Sequence, residues 1–203
     1  MYIPKQFESP DRELTLEVMR THDFAMLISS DAQGVPMATP LPVVVSDADG
    51  KTTLHFHLAR ANPHVALLRE GRPTMVAFSG PNAYMSPSVY PDLKRVPTWN
   101  YIAVHAYGLV EEIVEAHAKD ALLKSLIAIH EPTYAPQWKG LDAQFQETML
   151  GAIAAFRMPV TKLDSKFKLN QHRKEAHAQM KAAYVAGSPD EQSLAQWMER
   201  LGL

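Results

Sequence analysis

The chain contains no cysteine. Disulfides, thiolate zinc sites, iron–sulfur clusters and thiol nucleophiles are thereby excluded. It also lacks any apolar run approaching the roughly 20 residues that cross a bilayer. The opening Met1-Tyr2-Ile3-Pro4-Lys5 has none of the basic-then-apolar pattern of a secretory signal. A cytoplasmic protein is expected. A basic excess is missing too, because 20 Lys and Arg face 22 Asp and Glu, a net charge of −2 with histidines neutral. A broad nucleic-acid surface needs positive charge to neutralise phosphates. No G-x-S-x-G elbow, P-loop or G-x-G-x-x-G occurs, which removes support for hydrolase, NTPase and Rossmann readings. Nine histidines invite a metal, yet no His-x₃-His or His-Glu-x-x-His motif is present. His55 and His57 share a strand face, a spacing that is more often structural. No metal site is expected.

What is present fits one soluble α+β domain. A chain of 203 residues, 46% hydrophobic, falls within the size a single core serves. Ser9-Pro10 reads as an N-cap and first helical residue, opening a helix over 10–21. Phe24 to Ser30 reads as a buried strand and Asp31-Ala-Gln-Gly34 as a turn. Val35 to Val45 is β-branched but carries Pro36, Pro40 and Pro42. Prolines donate nothing to a ladder, so this strand belongs at an edge or at a bulge. Ser46 to Gly50 is a second turn, and Thr52 to Leu58 alternates as a third strand. Asn62-Pro63 opens a short helix closed by Gly71, and Thr74 to Phe78 is a strand.

Residues 81–98 hold four prolines and read as a long excursion, of a length usually functional or flexible. From Trp99 a strand with two dissimilar faces runs to Tyr107. Residues 115–130 and 141–150 read as helices, Ala152 to Leu163 as a strand, and the tail from His172 as helices broken at Gly187-Ser188-Pro189. Neighbouring strands with tight turns and few helices predict an antiparallel sheet in a small closed or split barrel.

Three segments carry possible chemistry. In Leu54 to His64 a strand runs into a helix start bearing Arg60, Asn62 and His64. Helix N-termini favour anions, a guanidinium fork suits phosphate, and His57 and Leu58 just before it are placed to line a ring system. Arg60 reads equally well as a solvated surface residue. Lys166 to Arg173 is rich in bases and reads from composition as a solvated loop opening a helix. Val96-Pro-Thr-Trp-Asn-Tyr101 offers aromatics to stack on a ligand or to pair in a core.

Five blocks occur in order: Met1 to Phe7, Ala59-Arg-Ala-Asn-Pro-His64, Tyr84-Met-Ser-Pro-Ser-Val-Tyr90, Val96 to Tyr101, and Lys168-Leu-Asn-Gln171. Together they resemble the PaiB family of FMN-binding negative transcriptional regulators. The resemblance spans almost the whole chain, with Val89 where an aromatic is expected and His172 where asparagine is expected. It implies an FMN-binding split β-barrel, antiparallel and Greek-key-like, with peripheral helices and a helical C-terminal tail. Residues 1–171 would form that domain and 172–203 a helical extension packed on it.

The resemblance further implies a homodimer with FMN at the subunit interface. The strand and turn from His57, Leu58 and Ala59 through Arg60 to Asn62 and His64 would hold the FMN phosphate, with Arg60 as anchor. Thr39, Pro40 and Leu41 would lie beside the isoalloxazine, and Trp99, Asn100, Lys168 and Gln171 are the next candidates. The functions implied are a transcriptional regulator, with DNA or a regulatory partner, and a flavin-dependent oxidoreductase. The alternative is a haem-binding split barrel. Against direct DNA binding stand the charge of −2 and the want of a basic recognition helix.

Overall fold

A computed structural model describes all residues, 1–203. They form two compact units: a sheet unit of residues 23–78 and 106–163, and a helical unit of residues 1–22, 79–105 and 164–203.

In the sheet unit, β1 (Phe24–Ser30) pairs antiparallel with β2 (Pro36–Pro42). The turn between them is shaped by Asp31, whose Oδ1 accepts from Gln33 N at 2.9 Å and Val35 N at 2.8 Å. β3 (Val44–Ala48) and β4 (Lys51–Ala59) form a hairpin through Asp49 and Gly50, with φ of 52° and 75°. Two left-handed residues in a two-residue loop match the twist of the flanking strands. Three longer strands have residues in both units: β5 (Thr74–Met85), β6 (Thr98–Gly108) and β8 (Ile153–Lys168).

The hydrogen-bonded order is β2-β1-β5-β6-β8-β4-β3, with the short β7 (Glu111–Ile113) on β8. β2 and β3 stand at opposite ends of this path, yet only Val43 separates them in the chain. The sheet therefore curls until its ends meet at Val43 without pairing along their length. It is an antiparallel barrel left split rather than closed. Alternate residues Leu54, Phe56 and Leu58 of β4 are buried, and Phe56 stacks on Phe156 of β8 at 6.0 Å. A Cβ on Gly108 would sit 2.3 Å from the Pro159 carbonyl oxygen, so this crossing requires glycine. Helices α2 (His64–Arg69), α3 (Ala116–His130), α4 (Ala135–Gly140) and α5 (Ala143–Gly151) complete the unit.

The helical unit holds α1 (Arg12–Thr21), α6 (His177–Val185) and α7 (Pro189–Arg200). α1 starts two residues later than Ser9-Pro10 suggests, because Asp11 Oδ1 caps Leu14 N at 2.8 Å. α7 opens on a capping box between Ser188 and Glu191. Leu16, Met19, Ile102, Met180 and Leu194 are fully or almost fully buried, and Trp197 meets Phe167 edge-on at 5.4 Å.

Several expected elements are shifted. The strand read over Val35 to Val45 breaks at Val43, which turns the chain from one end of the sheet to the other, and Ser46 to Ala48 belong to β3 rather than to a turn. Proline-bearing β2 does occupy a sheet end, where missing N–H groups cost least. β5 runs through Pro81 to Met85, shortening the excursion to residues 86–97. Its burial alternation slips at Gly80-Pro81, both buried, which hides the second half of the strand from a period-two reading. β7 and α4 are too short to leave a periodic signal.

Candidate functional site

The thirteen expected cofactor residues divide between the two units. Nine of them lie in the sheet unit: Thr39, Pro40 and Leu41 on β2; His57, Leu58 and Ala59 on β4; and Arg60, Asn62 and His64 on the turn into α2. Leu41 and Leu58 point into the core at 3% and 4% exposure, which leaves their neighbours to face outward.

The turn after β4 is heavily bonded to itself. Arg60 N donates to Ala152 O at 2.9 Å, Asn62 N to Ala59 O at 2.9 Å, and Val65 N to Asn62 O at 3.0 Å. Asn62 Oδ1 accepts from His64 N at 2.9 Å. α2 is only six residues long, and its leading amides are engaged within the turn. The leading amides are thus not free for an anion, and the donors this turn leaves open are those of side chains.

Arg60 is exposed and donates from Nε to Gly151 O at 2.7 Å and from Nη2 to Ile153 O at 3.2 Å. A guanidinium carries five N–H groups, so three remain, all on the two terminal nitrogens. The carbonyls fix the fork's position before any ligand arrives. Thr39 Oγ1 lies 2.8 Å from His64 Nδ1. His64 is fully buried, and its Nε2 has no partner. His57 Nδ1 is likewise buried without a partner. Burial lowers the pKa of both rings from the ordinary value of 6.5, favouring neutral imidazole. A turn with a pre-positioned arginine, flanked in sequence by two orphaned imidazole nitrogens, fits a ligand that is both anionic and rich in hydrogen-bonding atoms. FMN is such a ligand.

The other four residues lie in the helical unit. Trp99, on β6, is 54% exposed and meets Tyr84 edge-on at 6.3 Å. Asn100 is fully buried and donates to Tyr184 Oη at 3.0 Å. Gln171 closes a turn, accepting from Leu169 N and donating to Phe167 O. Lys168 Nζ donates to Thr98 Oγ1 at 2.6 Å and to the Trp99 carbonyl. Asn100 and Gln171 are thus engaged within the protein, whereas Trp99 presents its ring to solvent. Beside Lys168 lie Arg173, from the same base-rich segment, and Tyr90 and Arg95, which sequence reasoning did not connect with it. For Arg95 the signal was the charged run Asp92-Leu-Lys-Arg95 within the proline-rich excursion.

The split antiparallel barrel and this turn define a flavin-binding type of domain. Residues 1–162 match the family described as "Putative FMN-binding domain". The chain is 31% identical over 176 residues to Protease synthase and sporulation protein PAI 2 of Bacillus subtilis, covering 86% of this chain and 84% of that protein. The chain belongs to this FMN-binding family, the PaiB family its five sequence blocks resemble. FMN is the cofactor the family defines. Among solved structures it is similar to the FAD and heme binding protein from Mycobacterium smegmatis, with TM-score 0.62 and 20% identity over 79% of this chain and 73% of that one. It is also similar to the flavocytochrome Anf3 from Azotobacter vinelandii, with TM-score 0.62 and 15% identity over 82% and 72%. At these identities the likeness is one of fold. No helix is long and apolar enough to cross a membrane.

Proposed function

We propose that the protein is a homodimeric flavoprotein that holds the FMN phosphate at the turn between β4 and α2, with Arg60 as the anchor. The observation that carries this reading is the Arg60 guanidinium, fixed by two carbonyls and left with three outward donors. Thr39, His57, Asn62 and His64 belong to the same proposed site, and the exposed Pro40 flanks it on β2. Bound FMN supplies electron transfer, and the protein supplies its placement. A flavin-dependent oxidoreductase is the role this arrangement supports best. Direct DNA binding as a transcriptional regulator is supported less well, because the chain is acidic overall and α6 carries a single lysine, Lys181. The haem alternative is supported less well, since an arginine fork suits a haem propionate as well as a phosphate and it is FMN that the matched family defines.

The homodimer is supported by the outward face of β1 and β2. Phe24 is 70% exposed and Met26 37%, and they lie opposite Pro42 and Pro40 in the register. An exposed apolar strip of this kind marks an association surface.

The test is visible absorption after FMN addition and desalting, together with light scattering. Flavin bands that survive desalting, with twice the 22.7 kDa chain mass, are the expected result. A colourless protein of single-chain mass would overturn the reading.

A further inference from the structure

The helical unit contains a cavity of about 360 Å³ lined by Tyr90, Lys94, Arg95, Lys168, His172 and Arg173. Its charges do not balance. Arg95 Nη2 bonds Asp92 at 2.7 Å and Glu175 at 3.4 Å. Lys94, Lys168 and Arg173 have no carboxylate within the 4 Å of an ion pair. Four cations therefore face two carboxylates, an excess of two positive charges in a chain that is acidic as a whole. Gathering like charges in a half-sheltered cavity is unfavourable unless something of opposite sign joins them.

The donors are also only partly used. Arg95 Nε is buried without a partner. Lys168 Nζ gives two hydrogens to neutral oxygens, those of Thr98 and Trp99, and keeps a third. Tyr90 Oη accepts from Asn170 Nδ2 at 3.2 Å, which leaves its own hydrogen to give. The electrostatics show that these groups converge. Burial and then Arg173, Lys168 and Arg95 all act to lower the His172 pKa, opposed by Glu175. Burial and the neighbouring Lys166 lower that of Lys168. An ordinary solvated basic loop would show neither the orphaned Nε nor this mutual crowding.

We propose that this cavity is a second ligand site, separate from the FMN phosphate locus at Arg60, taking a small dianion such as a phosphate ester or a dicarboxylate. The net charge of the lining matches a dianion. Lys168, one of the residues expected to contact the flavin, serves this ligand instead.

The experiment is titration calorimetry on FMN-loaded and FMN-free protein with inorganic phosphate and with succinate, at constant ionic strength held by chloride. At least one probe is expected to bind saturably at one Lys168-dependent site per chain, with FMN present or absent; a further phosphate site seen only without FMN and removed by Arg60→Ala belongs to the flavin locus. The tighter of the two identifies phosphate ester or dicarboxylate as the source. Lys168→Met and Arg173→Met should each weaken binding about tenfold or more, while Lys168→Arg should retain it, with melting temperatures confirming that each variant is folded. Arg60→Ala should leave it unchanged. Three results would each overturn the proposal: no saturable binding of either probe, binding indifferent to Lys168→Met, or Lys168-dependent phosphate binding that disappears when FMN is loaded. The last would assign the cavity to the flavin's own phosphate.

Discussion

Thr39 Oγ1 and His64 Nδ1 lie 2.8 Å apart, tying the proline-bearing end strand of the sheet to the short helix α2 that follows β4. The bond consumes one nitrogen of a fully buried ring whose other nitrogen has none to meet. Thr39→Val keeps the side-chain shape and removes the bond. It should cost about 1–3 kcal/mol, the penalty for stranding a buried polar group, measured by urea unfolding. Thr39→Ser should recover most of it. An unchanged midpoint in Thr39→Val would show that the pair contributes nothing.

Arg60→Ala should weaken FMN about tenfold or more, because charge-assisted bonds to phosphate are worth roughly 1.5–3 kcal/mol. Riboflavin, which has no phosphate, should lose little. Fluorescence titration with both ligands separates an anchor from a mere turn support, since releasing the Gly151 and Ile153 carbonyls would harm both equally.

Stability should fall as pH is lowered through the histidine range. Burial lowers the pKa of His55, His57 and His64 from 6.5 in the folded state. The unfolded chain therefore takes up protons first as pH falls below about 6.5, and stability present above that value is progressively lost. Urea midpoints between about pH 7.5 and 5.5 measure the slope. His57→Gln should flatten it; an identical slope in that variant would remove His57 from the account.

Asn100 and Tyr184 test whether the tail is part of the core. The Asn100 amide donates to the Tyr184 hydroxyl at 3.0 Å, with both side chains buried and Asn100 Oδ1 already unpartnered. Tyr184→Phe strands the amide and should cost about 1–3 kcal/mol. The Asn100→Leu, Tyr184→Phe double variant should be less destabilised than the sum of the singles. Strict additivity in urea unfolding would deny the coupling.

Gly108→Ala should destabilise the fold by roughly 1–3 kcal/mol or more, since the added methyl meets the Pro159 carbonyl at 2.3 Å and backbone must move. Loss of soluble protein or a lowered melting temperature is expected. A wild-type melting temperature would show that the two strands separate freely here.

Much of this architecture is written in short-range chemistry. The prolines of β2 exclude it from the middle of a sheet, Asp49-Gly50 turns a hairpin, and the alternation from Trp99 to Tyr107 separates a buried face from an open one. Asn62, Pro63 and Arg60 mark the strand-turn-helix that carries the proposed phosphate anchor, and the order of five short blocks points to the family. These features depend on a residue's own geometry or on neighbours a few positions away, and so a sequence displays them. The break at Val43 was invisible because it follows from where each half pairs, not from Val43 itself. The slip at Gly80-Pro81 was hidden for a related reason: β5 keeps its ladder while its buried side changes phase.

The tertiary structure alone decided which side chains are available. It tied Arg60 to the carbonyls of Gly151 and Ile153, over 90 residues away, and filled the amides of α2 that a helix start would otherwise offer. It gave Asn100 to Tyr184, and it brought Arg95 and Arg173, 78 positions apart, to one cavity with Lys168. Local pattern specifies an element because backbone torsions and side-chain period are local. Whether a donor is spent or free depends on contacts set by the packed chain.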